Sequence, residues 1–142
     1  MILLDTNVIS ELWRSEPDTG VLAWVNTQAI EALYLSAITV AELRYGLATM
    51  PDGKRRTIYL ERLTREVLPA VGGRILPFDL EASQSYADLM ARARAAGRAI
   101  GKADGYIAAR AAAHGLMVAT RDTSPFEAAG LRTINPWEEE RL

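Results

Sequence analysis

The chain has no cysteine and a single histidine, His114, and these shortages exclude more chemistry than anything else in its 142 residues. Without thiols there are no disulfides, zinc–thiolate sites or cysteine nucleophiles; this fits a reducing compartment, and the cytoplasm is the expected location. His114 ends an Ala-rich stretch beside Gly115, where it suits a helix C-terminus. One imidazole so placed rules out a two-histidine ribonuclease mechanism and argues against a Ser-His-Asp hydrolase. No apolar run approaches the ~18 residues of a membrane span, and the start, MILLD, has no basic segment, so neither a spanning helix nor a signal peptide is expected. Positive charge is also scarce: the net charge of −2 creates no global attraction for nucleic acid, so a polyanion must be held by a local basic patch or through metal ions. A phosphate-cradling glycine loop is missing, since IGKADG lacks the required spacing.

What is present is an ordinary globular composition, 49% hydrophobic and 24% charged, with no repeat, linker or shift that would divide it. The length predicts one domain over residues 1–142. Short apolar runs at 1–4, 33–35, 74–78, 116–120 and 131–134 read as strands. Between them, helices are predicted from Thr6, from Pro17-Asp18-Thr19, after an N-cap at Ser36, over 54–68 with a stop near Pro69, through Ala82, Tyr86, Leu89 and Ala93 to Gly97, and over 101–114. Strands alternating with helices predict an α/β protein with a parallel sheet and helices on both faces. Trp13, Trp24, Tyr59 and Tyr86 fall on apolar helix faces and are expected in the core.

Four acids stand out by position. Asp5 and Asp122 directly follow strands. Glu42 lies one and a half turns into a helix that follows a strand, and Asp104 opens a helix whose far end feeds the next strand. Each has an ordinary explanation alone: N-cap, solvated helix residue, first-turn anion, turn residue. In a parallel sheet, however, all four meet at the carboxyl edge, where open α/β sheets bind ligands. Converging carboxylates repel by about 1 kcal/mol per pair even in water, and a hard divalent ion, Mg²⁺ or Mn²⁺, relieves that. Thr6 and Thr120 offer hydroxyls, and Asn7 an amide, to orient carboxylates or ordered water. Lys54, Arg55, Arg56, Arg62 and Arg65 form one basic stretch. Arg92, Arg94, Arg98 and Lys102 form another, which leads towards Asp104 and could grip phosphates, as could Arg121.

The segments MILLDTNVISEL, LSAITVAELRYG, ADGYIAA and VATRDTSPF, with the terminal NPW, resemble in order and spacing the acidic motifs of PIN-domain ribonucleases of the VapC toxin type, and most closely their FitB-like members. That resemblance implies a three-layer α/β/α sandwich around a parallel sheet of four to five strands. It carries Asp5, Glu42, Asp104 and Asp122 over as metal-binding acids, with Thr120 as the supporting hydroxyl and Thr6 and Asn7 flanking. It further implies a Mg²⁺- or Mn²⁺-dependent endoribonuclease that hydrolyses RNA phosphodiester bonds with a metal-activated water. The expected partners are RNA, a cognate DNA-binding antitoxin and a second copy of the chain. Three rivals stay open: a non-catalytic antitoxin-binding partner in a DNA-bound complex, a phospho-acceptor receiver domain, and a deoxyribonuclease of the same metal chemistry.

Overall fold

The structure, a computed structural model, describes residues 1–139. The apolar runs become five short strands: β1 (Ile2–Leu4), β2 (Leu33–Ser36), β3 (Ile75–Leu76), β4 (Met117–Ala119) and β5 (Thr133–Ile134). They form one sheet in the order β3-β2-β1-β4-β5, with every pairing parallel. Parallel neighbours need long crossovers, and helices supply them. On one face lie α1 (Thr6–Leu12), α2 (Thr19–Thr27), α3 (Ala37–Thr49), α4 (Lys54–Arg62) and the short α5 (Leu68–Ala70). The other face carries α6 (Leu80–Ala95), α7 (Lys102–His114) and α8 (Ser124–Ala128). Among the described residues no helix is long and apolar enough to cross a membrane.

Strand alternation divides the core. Ile2 and Leu4 pack with Val8, Trp13, Trp24 and Leu43 on one side, while Leu3 points the other way into Leu89, Ile107, Val118 and Phe126. Each fully buried side chain of this kind contributes roughly 1.5–3 kcal/mol. The helix predicted over 54–68 stops close to the expected place, at Ala70, one residue after Pro69. The chain continues from α4 through a π turn over Leu63–Val67, with Leu68 N–H reaching Leu63 O, and Pro69 falls in the first turn of α5.

The order of the strands sets the site. The chain runs outward from β1 to β2 to β3, then must return past β1 to reach β4. The packed pair α6 and α7 makes that return. They pack tightly at Gly105, where a Cβ would lie 2.9 Å from Met90 Sδ, and the small Ala108, Ala109 and Ala111 keep α7 close to its neighbours. Arg110 of α7 is buried and pairs with Asp79 at 2.8 Å, while Asp79 also caps α6 by accepting from Ala82 N–H. Arg110 Nε has no hydrogen-bond partner among the described residues. Burying a cation so incompletely satisfied costs nearly as much as its pairing returns. Arg110→Met should therefore lie within about 1 kcal/mol of the parent in urea denaturation, whereas Arg110→Ala, which opens a cavity, should lose roughly 2–4 kcal/mol. A loss above ~3 kcal/mol in Arg110→Met would show the ion pair to be strongly net stabilising.

Candidate active site

The reversal of strand order puts a topological switch point between β1 and β4. Their register pairs Leu4 with Ala119, and Asp5 N–H extends it by donating to Ala119 O at 2.9 Å. Asp5 and Thr120 thus leave the sheet side by side. The Thr120 hydroxyl donates to Asp5 Oδ2 at 2.9 Å, and Thr6 N–H donates to Asp5 Oδ1 at 2.8 Å, so Asp5 also caps α1. Asp5 as a whole is only 7% exposed. Burial pushes its pKa from 3.8 up to about 6 against the lowering effect of those two hydrogen bonds, with the charges of Asp104 and Glu42 adding to the rise.

Ser36 ends β2 and caps α3 by accepting from Ile38 N–H. Glu42, further along α3, then faces α1, where the Thr6 hydroxyl donates to Glu42 Oε1 at 2.6 Å. Asp104 sits in the first turn of α7. Its pKa is raised, first by burial and then by the charges of Glu42 and Asp122. Asp122 is exposed and turned towards α8, where its Oδ1 accepts from Ser124 N–H at 3.2 Å and Ser124 Oγ at 2.9 Å. Asn7 bridges the two switch-point strands by donating to Thr120 Oγ1 at 3.3 Å and accepting from Arg121 N–H at 3.4 Å.

Asp5, Glu42 and Asp104 line one end of a cleft of about 700 Å³ that continues between α1, α3 and α4. Thr6, Asn7 and Arg121 line it too; Asp122 and Thr120 are not among the lining residues. None of the basic residues before Asp104, Arg92, Arg94, Arg98 or Lys102, is among the cleft's lining residues. Arg98 lines a separate cavity with Met90 and Ile100, and Lys102 is exposed on α7 outside the cleft lining. From the other basic stretch only Arg55 reaches the cleft, with its guanidinium over the Tyr59 ring. His114 lies at the far end of α7 from Asp104, tilted against Tyr34.

Sequence reasoning missed Glu11 and Trp137. Glu11 is buried in the cleft wall, and burial opposes its ionised form, but hydrogen bonds from Asp18 N–H, Arg14 and Trp137 outweigh that and lower its pKa. The available signal was its position: Glu11 follows Val8 by three residues, on the face of α1 that is otherwise apolar.

The donor set suits a hard cation, being carboxylate oxygens with neither imidazole nor thiolate nearby. Among the described residues none of the four acids has an ion-pair partner; the pairs formed are Glu11 with Arg14, Asp52 with Arg56 and Asp79 with Arg110. Yet no three His, Cys, Asp or Glu side chains among the described residues stand in an arrangement that holds a metal ion. In this arrangement Glu42 Oε1 accepts from Thr6 and Asp122 Oδ1 from Ser124, and the second oxygen of each has no hydrogen-bond partner among the described residues.

Residues 2–131 match the model of the PIN domain family. This chain belongs to that family. Among similar PIN proteins, VapC ribonuclease Y4jK of Sinorhizobium fredii is 75% identical over 97% of this chain and 99% of its own length. Toxin FitB of Neisseria gonorrhoeae is 51% identical over 98% of this chain and all of its own. The solved structure of FitAB bound to an IR36 DNA fragment contains a chain that superposes with a TM-score of 0.95 at 49% identity, covering 99% of each chain. The five-stranded parallel sheet flanked by helices is thus the PIN fold.

Proposed function

We propose that this PIN-domain chain is a Mg²⁺- or Mn²⁺-dependent endoribonuclease, the toxin half of a toxin–antitoxin pair. The observation that carries the reading is Asp5: a buried carboxylate at the switch point, crowded by Glu42 and Asp104, with no cation beside it among the described residues. The fold tolerates that charge for a reason, and a divalent ion supplies one. The names VapC ribonuclease and Toxin FitB, borne by relatives at 75% and 51% identity, support RNA as substrate and toxicity as outcome.

Asp5, Glu42, Asp104 and Asp122 are the residues that would hold the ion. When bound, such an ion makes water a usable nucleophile near neutral pH and offsets charge developing on a phosphodiester. The chain's own residues prepare for this. Thr120 and Thr6 N–H fix both oxygens of Asp5, the Thr6 hydroxyl aims Glu42, and Asn7 locks Thr120 to the start of the loop that carries Asp122. The structure of FitAB on DNA supports, for this chain too, a DNA-bound complex with a companion protein; we propose that the companion restrains the toxin and that the toxin is a homodimer within that assembly.

Purified chain, free of its companion, should cleave single-stranded RNA with Mg²⁺ or Mn²⁺ and stop on addition of EDTA. Protein that stays folded and binds either ion but never cuts RNA would favour the non-catalytic reading. Removing the hydroxyl that aims Glu42 should matter as well. Thr6→Val should lower activity by roughly 10–100-fold while Thr6→Ser retains most of it, as measured by initial cleavage rates. Equal rates for both variants would show that the Thr6–Glu42 bond is incidental.

A further inference from the structure

Arg121 stands where neutralisation of the acids would be simplest. It follows Thr120, precedes Asp122 and lines the same cleft as Asp5, Glu42 and Asp104. Among the described residues, however, it forms no ion pair with any of them. Its guanidinium lies instead over the ring of Trp137, 5.2 Å from the centroid, a cation–π contact that holds the charge without cancelling it.

That seat is built from several directions. Asn135 Oδ1 accepts from Trp137 N–H at 2.9 Å, and Asn135 Nδ2 donates to Arg121 O at 3.1 Å, so one side chain fixes both members of the pair. Asn7 accepts from Arg121 N–H on the other side. Buried Glu11, which Asp18 N–H holds at 3.1 Å and Arg14 at 3.3 Å, lines the same cleft as Trp137. The Asn-Pro-Trp segment after β5 therefore does more than end the fold. It keeps the cation nearest Asp122 in the chain exposed and in place.

We infer that Arg121 grips a phosphate of the RNA beside the scissile bond, and that Trp137, held by Asn135, is the residue that positions it. A guanidinium offers a planar fork of donors that matches two phosphate oxygens, and a stacked guanidinium still presents those donors at its edge. An RNA strand approaching an anionic cleft needs such a contact, because the acids repel it until cations screen them. The inference rests on the ribonuclease reading and adds the residue that holds the substrate.

The test uses a labelled, mixed-sequence single-stranded RNA and the intact protein with Mn²⁺. Steady-state cleavage and the salt dependence of kcat/KM are measured for the wild type, Arg121→Ala, Arg121→Lys, Trp137→Ala and Trp137→Phe. The Mn²⁺-induced rise in Tm of each variant checks the fold and the acid cluster. Arg121→Ala should raise KM by at least about tenfold and flatten the slope of log kcat/KM against log salt by ~0.7, the value for one lost phosphate contact on a single strand, with the Mn²⁺ response intact. Arg121→Lys should restore the slope but only part of KM, because a lysine keeps the charge and loses the fork. Trp137→Ala should raise KM by several-fold without altering the slope by as much, and Trp137→Phe should return it towards the wild type.

Unchanged KM and slope in Arg121→Ala, with the wild type cleaving RNA, would overturn the inference and leave the ribonuclease reading standing. No cleavage by the wild type would remove both. Arg121→Ala that cuts RNA normally but escapes inhibition by the companion protein would assign the guanidinium to that protein and overturn the inference as well.

Discussion

Asp5→Asn is expected to abolish RNA cleavage and, in metal-free protein near neutral pH, to make the fold more stable. The two effects have one cause. The buried carboxylate gives up its proton near about 6 instead of 3.8, so holding it ionised in the folded state costs about 3 kcal/mol at pH 7. Asparagine removes that cost. Its Oδ1 can still accept from Thr6 N–H, and its amide can donate to Thr120 Oγ1, although the charge-assisted part of both bonds is lost. The net gain should be about 1–3 kcal/mol, read by urea denaturation in EDTA. Cleavage should fall on the order of 10³-fold or more, since the variant lacks the one acid that burial and two hydrogen bonds already hold in place, and each tenfold corresponds to about 1.4 kcal/mol of barrier. A variant less stable than its parent, or one cleaving at more than a tenth of the parental rate, would contradict this view of Asp5.

The second large effect is metal-dependent and reverses with pH. In metal-free protein the raised pKa of Asp5 means that the folded state keeps its proton after the unfolded chain has lost it. The contribution of Asp5 to stability is therefore greatest below about 4, falls as pH rises from there to about 6, and stays flat above. Asp104, raised for the same reasons, acts in the same direction. Mg²⁺ or Mn²⁺ competes with protons for the same oxygens, so its stabilising effect should be small at pH 5 and grow through pH 6–7. At a hundred times its dissociation constant an ion adds about 2.7 kcal/mol, which is several degrees in Tm for a chain of this size. Asp5→Asn should lose most of that increment at every pH. Thermal melts at pH 5 and pH 7.5, with EDTA or with Mn²⁺, separate the cases. An increment that is equal at both pH values, or that survives in Asp5→Asn, would place the ion elsewhere.

The elements were legible because periodicity and capping agree locally. Ser36 announces α3, Gly115 closes α7, and each apolar run of the sequence became a strand of the parallel sheet. The shared edge was legible for a topological reason: a helix that follows a strand starts where the strand ends, whatever the strand order. What stayed hidden depended on distance in the chain. The pairing of β1 with β4, which sets Asp5 beside Thr120, joins residues 115 positions apart, and no local pattern encodes it. The turn of Asp122 towards Ser124 and the placement of Arg98 in a different cavity are likewise decided by loop geometry. Glu11 was passed over as an ordinary charge on a helix, and Trp137 was noticed only as part of the NPW segment, with no role. The fold brings both into the wall of one cleft.

A crystal soaked in Mn²⁺ and measured at the manganese absorption edge tests the central claim most directly. The expected result is an anomalous peak bonded to the Asp5 carboxylate, with Asp104 and at least one of Glu42 and Asp122 turned to meet it. A fully soaked crystal with no peak at Asp5, or with its manganese only at surface acids such as Asp52, would contradict it.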